Sequence, residues 1–278
     1  ASFCFAIVNV IDKYIITKHV KNPYIPVIIL GFLGTASAFF VYLLHGFYSM
    51  TLQNIILSLI AGTCYALMVI FYFHAIKIEE ISRVVPLFYL SPLFILFFAT
   101  LFLNEIFTGK IYIGIFLLVT GTFLISLKNI RKIELGKAFW LMMIANLSIA
   151  VSTVITKYLL NYADFWTVFS YTRLGILFVL IPVLFLNIKD ITNIVKRKKK
   201  VIGMISLNEI LNIIAILFIL IATSLGPVTL VNTLSSFQSF FVLFLAVLVS
   251  KINPDTIREE IKKSSIFIKP VSYTHLTL

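Results

Sequence analysis

Glu209 is the residue best placed to do chemistry. It stands in Leu207-Asn208-Glu209-Ile210-Leu211-Asn212, inside an otherwise apolar run. Counted from position 201 at ~1.5 Å per residue, it lies about 12 Å along a helix. A carboxyl at bilayer depth costs ~2.5–3.5 kcal/mol on insertion scales, so it faces a cavity or a partner. Flanked by Asn208, with Asn212 about one turn on, it suits either proton coupling or a structural pair with Arg or Lys. Arg173, in the apolar run 165–187, carries the complementary charge. It reads either as that partner or as a bidentate site for a substrate carboxylate. Lys13 and Lys157 fall near helix ends, where long amines snorkel to the headgroups. The alternative is a charged gate at each end of a pathway. Asn232, Ser235, Ser236 and Gln238 form a polar patch; the aligned part of the first half holds Tyr89 and Ser91. Such a patch faces a central cavity or bonds between helices. Pro86 and Pro92 predict a kinked helix. Asp12, beside Lys13, reads as interfacial, and Glu105 as structural or interfacial.

Other chemistries find no foothold. His19, His45, His74 and His275 do not cluster, and there is no Walker loop, Rossmann fingerprint or HExxH motif. Cys4 and Cys64 lie in apolar runs and suggest neither a disulfide framework nor a metal site. With no nucleophile or acid/base constellation, an enzyme is not expected, nor any cofactor or metal ion.

The elements that hold these residues must sit in lipid. Hydrophobic residues make up 60% of the 278 and charged ones 12%, and Phe alone occurs 27 times. A soluble fold of this size cannot hide that much apolar surface. The net charge of +12 does not point to nucleic acid, because the basic residues sit in short connections between apolar runs. Nine runs are long enough to span as helices: about 1–18, 25–44, 53–76, 82–103, 110–127, 138–160, 165–187, 201–223 and 227–250. The odd-numbered connections hold eighteen Lys and Arg, the even-numbered ones only Lys110. The positive-inside rule therefore places the odd loops in the cytoplasm and the N-terminus outside, in a plasma or bacterial inner membrane. The run Lys196–Lys200 reads as a topology determinant, with an anionic-lipid clamp as the alternative.

The chain also repeats itself. Val10-Ile11-Asp12-Lys13-Tyr14 parallels Val154-Ile155-Thr156-Lys157-Tyr158 at an offset of 144, and residues 71–101 parallel 218–248 at 147, with nine identities. Each copy forms a five-helix unit. Five is odd, so the second copy enters the membrane upside down, an arrangement associated with transporters. The expected fold is thus all-α and polytopic: two inverted five-helix repeats, with nine complete spans and a tenth missing. Residues 1–127 form the first repeat, 128–137 a basic cytoplasmic linker and 138–269 the second. Residues 270–278 read as a non-native tail, and the apolar start suggests a fragment.

Three places resemble the EamA-like ten-helix carriers of the drug/metabolite transporter superfamily. They are the Lys in Asp12-Lys13-Tyr14 and Thr156-Lys157-Tyr158, the run from Val84-Val85-Pro86-Leu87 through Ser91-Pro92 to Leu103-Asn104-Glu105, and Leu225-Gly226-Pro227-Val228. The resemblance implies a secondary carrier for a small metabolite, amino acid or drug, with a pathway between the first, third and fourth helices of each half. A lipid-linked sugar or nucleotide-sugar carrier is the alternative within transport; a structural subunit is the alternative outside it. The implied partners are a small-molecule substrate, the bilayer and a coupling proton or cation. Substrate identity and oligomeric state are not legible in the sequence.

Overall fold

The computed structural model describes residues 1–20, 22–46, 49–106, 109–126, 136–235 and 237–252. Among them there are helices and connections and no strand. The helices are α1 (Ser2–Lys18), α2 (Tyr24–His45), α3 (Leu52–Ile78), α4 (Ile81–Leu87), α5 (Ser91–Leu103), α6 (Gly109–Ser126) and α7 (Lys137–Leu159). They continue as α8 (Phe165–Gly175), α9 (Leu177–Leu186), α10 (Ile188–Arg197), α11 (Lys199–Leu225), α12 (Val228–Leu234) and α13 (Phe237–Ile252). Among the described residues seven stretches are long and apolar enough to cross a membrane: Tyr24–His45, Leu52–Ile78, Arg83–Leu103, Lys137–Leu159, Phe165–Leu186, Lys199–Leu225 and Val228–Ser250. The other two expected spans are the helices α1 and α6, which fall outside these seven. α1 has 17 residues and carries Asp12 and Lys13. The expected non-native tail and most of the linker lie outside the described residues.

Local chemistry sets the helix ends. The Thr51 hydroxyl accepts from Asn54 N–H at 3.3 Å and starts α3. The Asp164 carboxylate accepts from Trp166 and Thr167 N–H at 3.0 and 3.2 Å and starts α8. α5 ends on Asn104, whose φ of 53° lies in the left-handed region that Asn tolerates. Between α4 and α5 the chain tightens into a 3₁₀ turn, Phe88–Leu90. Pro92 has no N–H to offer the Phe88 carbonyl, which accepts from Ser91 Oγ at 2.5 Å instead. The Leu87 carbonyl accepts from Asn146 Nδ2 of α7 at 2.7 Å. The second copy breaks at the matching place, between α12 and α13, although Ser239 stands where Pro92 does. α3 and α11, and likewise α4 and α12, begin and end 147 residues apart.

The two halves interdigitate. α3 runs along α7 and crosses α8, α2 lies on α8, α5 on α7, and α1 packs against α11 and α13. Ile15, Ile25, Ile28, Ile76, Met142 and Ile176 are fully enclosed in the largest apolar core. Large apolar side chains on the outside, such as Phe39, Phe97, Phe116 and Phe185, are more than half exposed, as lipid-facing residues are. α3 and α8 touch backbone to backbone at Gly62 and Gly175, where a Cβ on Gly62 would stand 2.9 Å from the Gly175 Cα. Thr63 Oγ1 adds a 3.1 Å bond to the Gly175 carbonyl across the same crossing.

Connections from the two halves meet at two places. At one end Asn22 Nδ2 donates to Asn187 Oδ1 and Asp190 Oδ2, both at 2.7 Å, and Lys198 Nζ donates to the His19 carbonyl at 2.8 Å. At the other, His45 stacks on Trp166 with 4.8 Å between centroids. The basic stretch after α9 is not a plain loop: Ile188–Arg197 forms the surface helix α10, none of whose residues is fully buried.

Candidate functional site

A cavity of about 270 Å³ opens between the halves, lined from α1, α2, α3, α7, α8, α11, α12 and α13 and from Phe88 and Ser91. Of the residues singled out in the sequence, Glu209, Asn208, Asn212, Arg173, Asn232, Ser235, Gln238 and Ser91 line it. The side chains of Tyr89 and Ser236 lie outside the described residues.

Lys13 and Lys157 do not line it. Lys13 Nζ donates to the carbonyls of Ile76 and Glu79 at 2.6 and 2.7 Å, and Lys157 Nζ to those of Thr223 and Gly226 at 2.7 and 2.9 Å. Each lysine thus closes the C-terminal end of the third long helix of its own half, α3 or α11. There the last carbonyls lack intrahelical donors and the helix dipole is negative. In this structure, then, each amine is held by two carbonyls at a helix end rather than standing on the cavity wall.

Asp12 is the main correction. It is not interfacial but 8% exposed, and it lines the cavity. Its Oδ1 accepts from Asn208 Nδ2 at 2.8 Å, and its Oδ2 lies 3.3 Å from the Tyr72 hydroxyl, whose single proton it shares with Asn9 Oδ1 at 3.0 Å. Asn9 and Asp12 stand three apart, on one helix face, which is the signal that locates them; their counterparts Thr153 and Thr156 line the cavity too. Glu105 accepts from Val228 N–H at 2.9 Å, from Thr229 N–H at 3.4 Å and from the Thr229 hydroxyl at 2.9 Å, so it caps α12 from the other half. That is the structural role expected of it.

Polar side chains cross the cavity in a line. Glu209 Oε2 accepts from Asn212 Nδ2 at 3.1 Å, and Asn212 Nδ2 lies 3.4 Å from the Tyr65 hydroxyl. The Arg173 guanidinium rests 4.9 Å from the Tyr65 ring centroid and 5.1 Å from that of Phe169. Arg173 and Glu209 are 3% and 6% exposed, yet they are not paired with each other. Arg173 Nε and Nη1 and Glu209 Oε1 have no hydrogen-bond partner. At the repeat spacing Glu209 corresponds to Gly62, and Asn212 to Tyr65. The crossing that is sealed by glycine in one half therefore carries charge and cavity in the other. Among the described residues no group of His, Cys, Asp and Glu could hold a metal ion.

The family model for EamA-like transporters matches residues 1–127 and 136–258. The chain belongs to the EamA-like transporter family. It is therefore an integral membrane protein of a transporter family rather than of an enzyme family. No curated protein matches it. It is similar to a protein of known crystal structure at 12% identity and a TM-score of 0.54, over 99% of this chain and 96% of that one. At that identity the likeness concerns the fold alone.

Proposed function

We propose that this EamA-like protein is a secondary transporter that moves a small metabolite, amino acid or drug by alternating access between two inverted five-helix repeats. The observation that carries the reading is a cavity with Asp12, Arg173 and Glu209 on its wall, between two halves whose third and fourth spans recur 147 residues apart and whose equivalent lysines make equivalent bonds. Counting α1 and α6, with α4–α5, α8–α9 and α12–α13 each as one broken span, the chain crosses nine times. Rocking would pivot where α3 and α8 meet at Gly62 and Gly175 and would open the polar α1–α11 seam. Asp12 and Glu209 are the carboxyl groups available to carry a coupling proton. The basic odd loops would face the cytoplasm.

Drug-sized sites run from roughly 300 to 1,000 Å³. A cavity of about 270 Å³ with one guanidinium on its wall is small for a nucleotide sugar or a lipid-linked sugar. The test is solute counterflow in proteoliposomes. Saturable exchange that Glu209→Gln uncouples from an imposed proton gradient is the expected result. A chain that is folded and ligand-bound but gives no flux in either direction overturns the reading.

A further inference from the structure

We propose that the surface helix α10 is a docking face for anionic phospholipid headgroups, on the cytoplasmic leaflet in the orientation given above. One residue separates it from α9 and one from α11, so it is tied to the membrane surface at both ends. At 3.6 residues per turn, Ile188, Ile191, Ile194 and Val195 fall within about a third of its circumference. The protein covers only half of that apolar stripe. Ile191 and Ile194 pack against the main apolar core, whereas Ile188 and Val195 are 48% and 49% exposed.

The seat of the helix fixes which edge faces out. Asp190 Oδ2 accepts from Asn22 Nδ2, and Lys198 Nζ donates to the His19 carbonyl, so α10 is held against the α1–α2 connection. On the opposite edge, helical spacing sets Lys189 and Lys196 beside the exposed Ile188 and Val195. That edge continues from the end of α9, where Phe185 and Leu186 are exposed. Residues 187–200 hold six Lys and Arg against one acid, the seated Asp190. Among the described residues no carboxylate pairs with those cations. A soluble acidic partner would answer the charge and leave the apolar edge unmet. A lipid answers both, with its phosphate at the basic residues and its chains against Ile188 and Val195. Long basic side chains suit that boundary, because their stems lie on apolar surface while the charge reaches the headgroups.

The test uses the full chain with Cys4→Ser and Cys64→Ser and a fluorescent bimane label on Val195→Cys. It is reconstituted in nanodiscs of phosphatidylcholine with a minority of phosphatidylglycerol, and one lipid or the other carries bromine on its chains as a quencher. Both brominated lipids quench the label, and phosphatidylglycerol does so about threefold or more beyond its mole fraction. The excess disappears at high salt, which screens exposed charges. It also disappears when Lys196→Gln, Arg197→Gln, Lys199→Gln and Lys200→Gln are combined, with Lys198 left in its seat. A label on Phe102→Cys, an exposed position at the far end of α5, shows no excess.

A Val195 label that neither brominated lipid reaches, quenching in proportion to mole fraction, or an excess that survives the four replacements overturns the proposal. Loss of the excess to soluble glycerol phosphate at matched ionic strength also overturns it, since that marks a site for free phosphates. If the combined variant does not insert, the salt series on the labelled parent chain decides, and an excess that survives high salt counts against the proposal. The result is independent of flux. Lipid can gather on a chain that exchanges no solute, and solute exchange can proceed without it.

Discussion

Gly62→Ala tests the α3–α8 crossing directly. The added Cβ would overlap the Thr172 carbonyl oxygen and stand 2.9 Å from the Gly175 Cα and 3.0 Å from the Thr172 carbonyl carbon. All three are backbone atoms, so no side-chain rotation relieves the overlap. The helices must part by roughly 1.5 Å to restore ordinary contact. Overpacking of this kind costs about 1–3 kcal/mol. The Thr63 hydroxyl, whose one proton is shared between the Leu59 carbonyl at 2.9 Å and the Gly175 carbonyl at 3.1 Å, keeps the first bond when the second stretches. No apolar area is removed, so overpacking is the main part of the loss. The assay is reversible unfolding in mixed micelles, followed by tryptophan fluorescence. Gly203→Ala is the control: it meets nothing within 4 Å and should be neutral or stabilising by about 0.5–1 kcal/mol. A Gly62→Ala protein as stable as the Gly203→Ala protein would refute the close crossing and the pivot built on it.

Lys157→Met should destabilise by about 1.5–3 kcal/mol through loss of charge-assisted bonds to the end of α11, and Lys13→Met by a similar amount at α3. The two share no partner, so the double variant should show the sum in the same unfolding assay; marked non-additivity would contradict separate caps. Glu105→Ala removes the cap of α12 and should cost about 0.5–2 kcal/mol, with faster amide exchange at Val228 and Thr229. Unchanged exchange there would speak against the cap. In a Cys4→Ser, Cys64→Ser background, Lys189→Cys should react with an impermeant thiol reagent only after the cell is opened, and Lys110→Cys from outside. The reverse pattern inverts the orientation.

Much of the fold was legible because lipid imposes it. Every spanning backbone must bond within itself, so long apolar runs mark helices regardless of what they pack against. The repeat was legible for a related reason: α3 and α11 keep equal length and spacing. Glu209, Arg173 and the polar residues of the ninth run were also visible, since polar groups stand out against an apolar background. Asp12 was hidden by its neighbour. Next to Lys13 it looked like half of an interfacial ion pair, whereas the helix turns the two residues to different partners, Asn208 and Tyr72 for one and the end of α3 for the other.

Composition and periodicity along one chain set the solvent, the helices and their order. Tertiary structure alone decided which charges are satisfied. Lys13 and Lys157 reach carbonyls more than 60 positions away, and Arg173 and Glu209 share a cavity without bonding each other. The physical reason is that desolvation depends on what surrounds a group in space. The same charge costs little beside two open carbonyls and much on an unpaired cavity wall, and no local pattern distinguishes those surroundings.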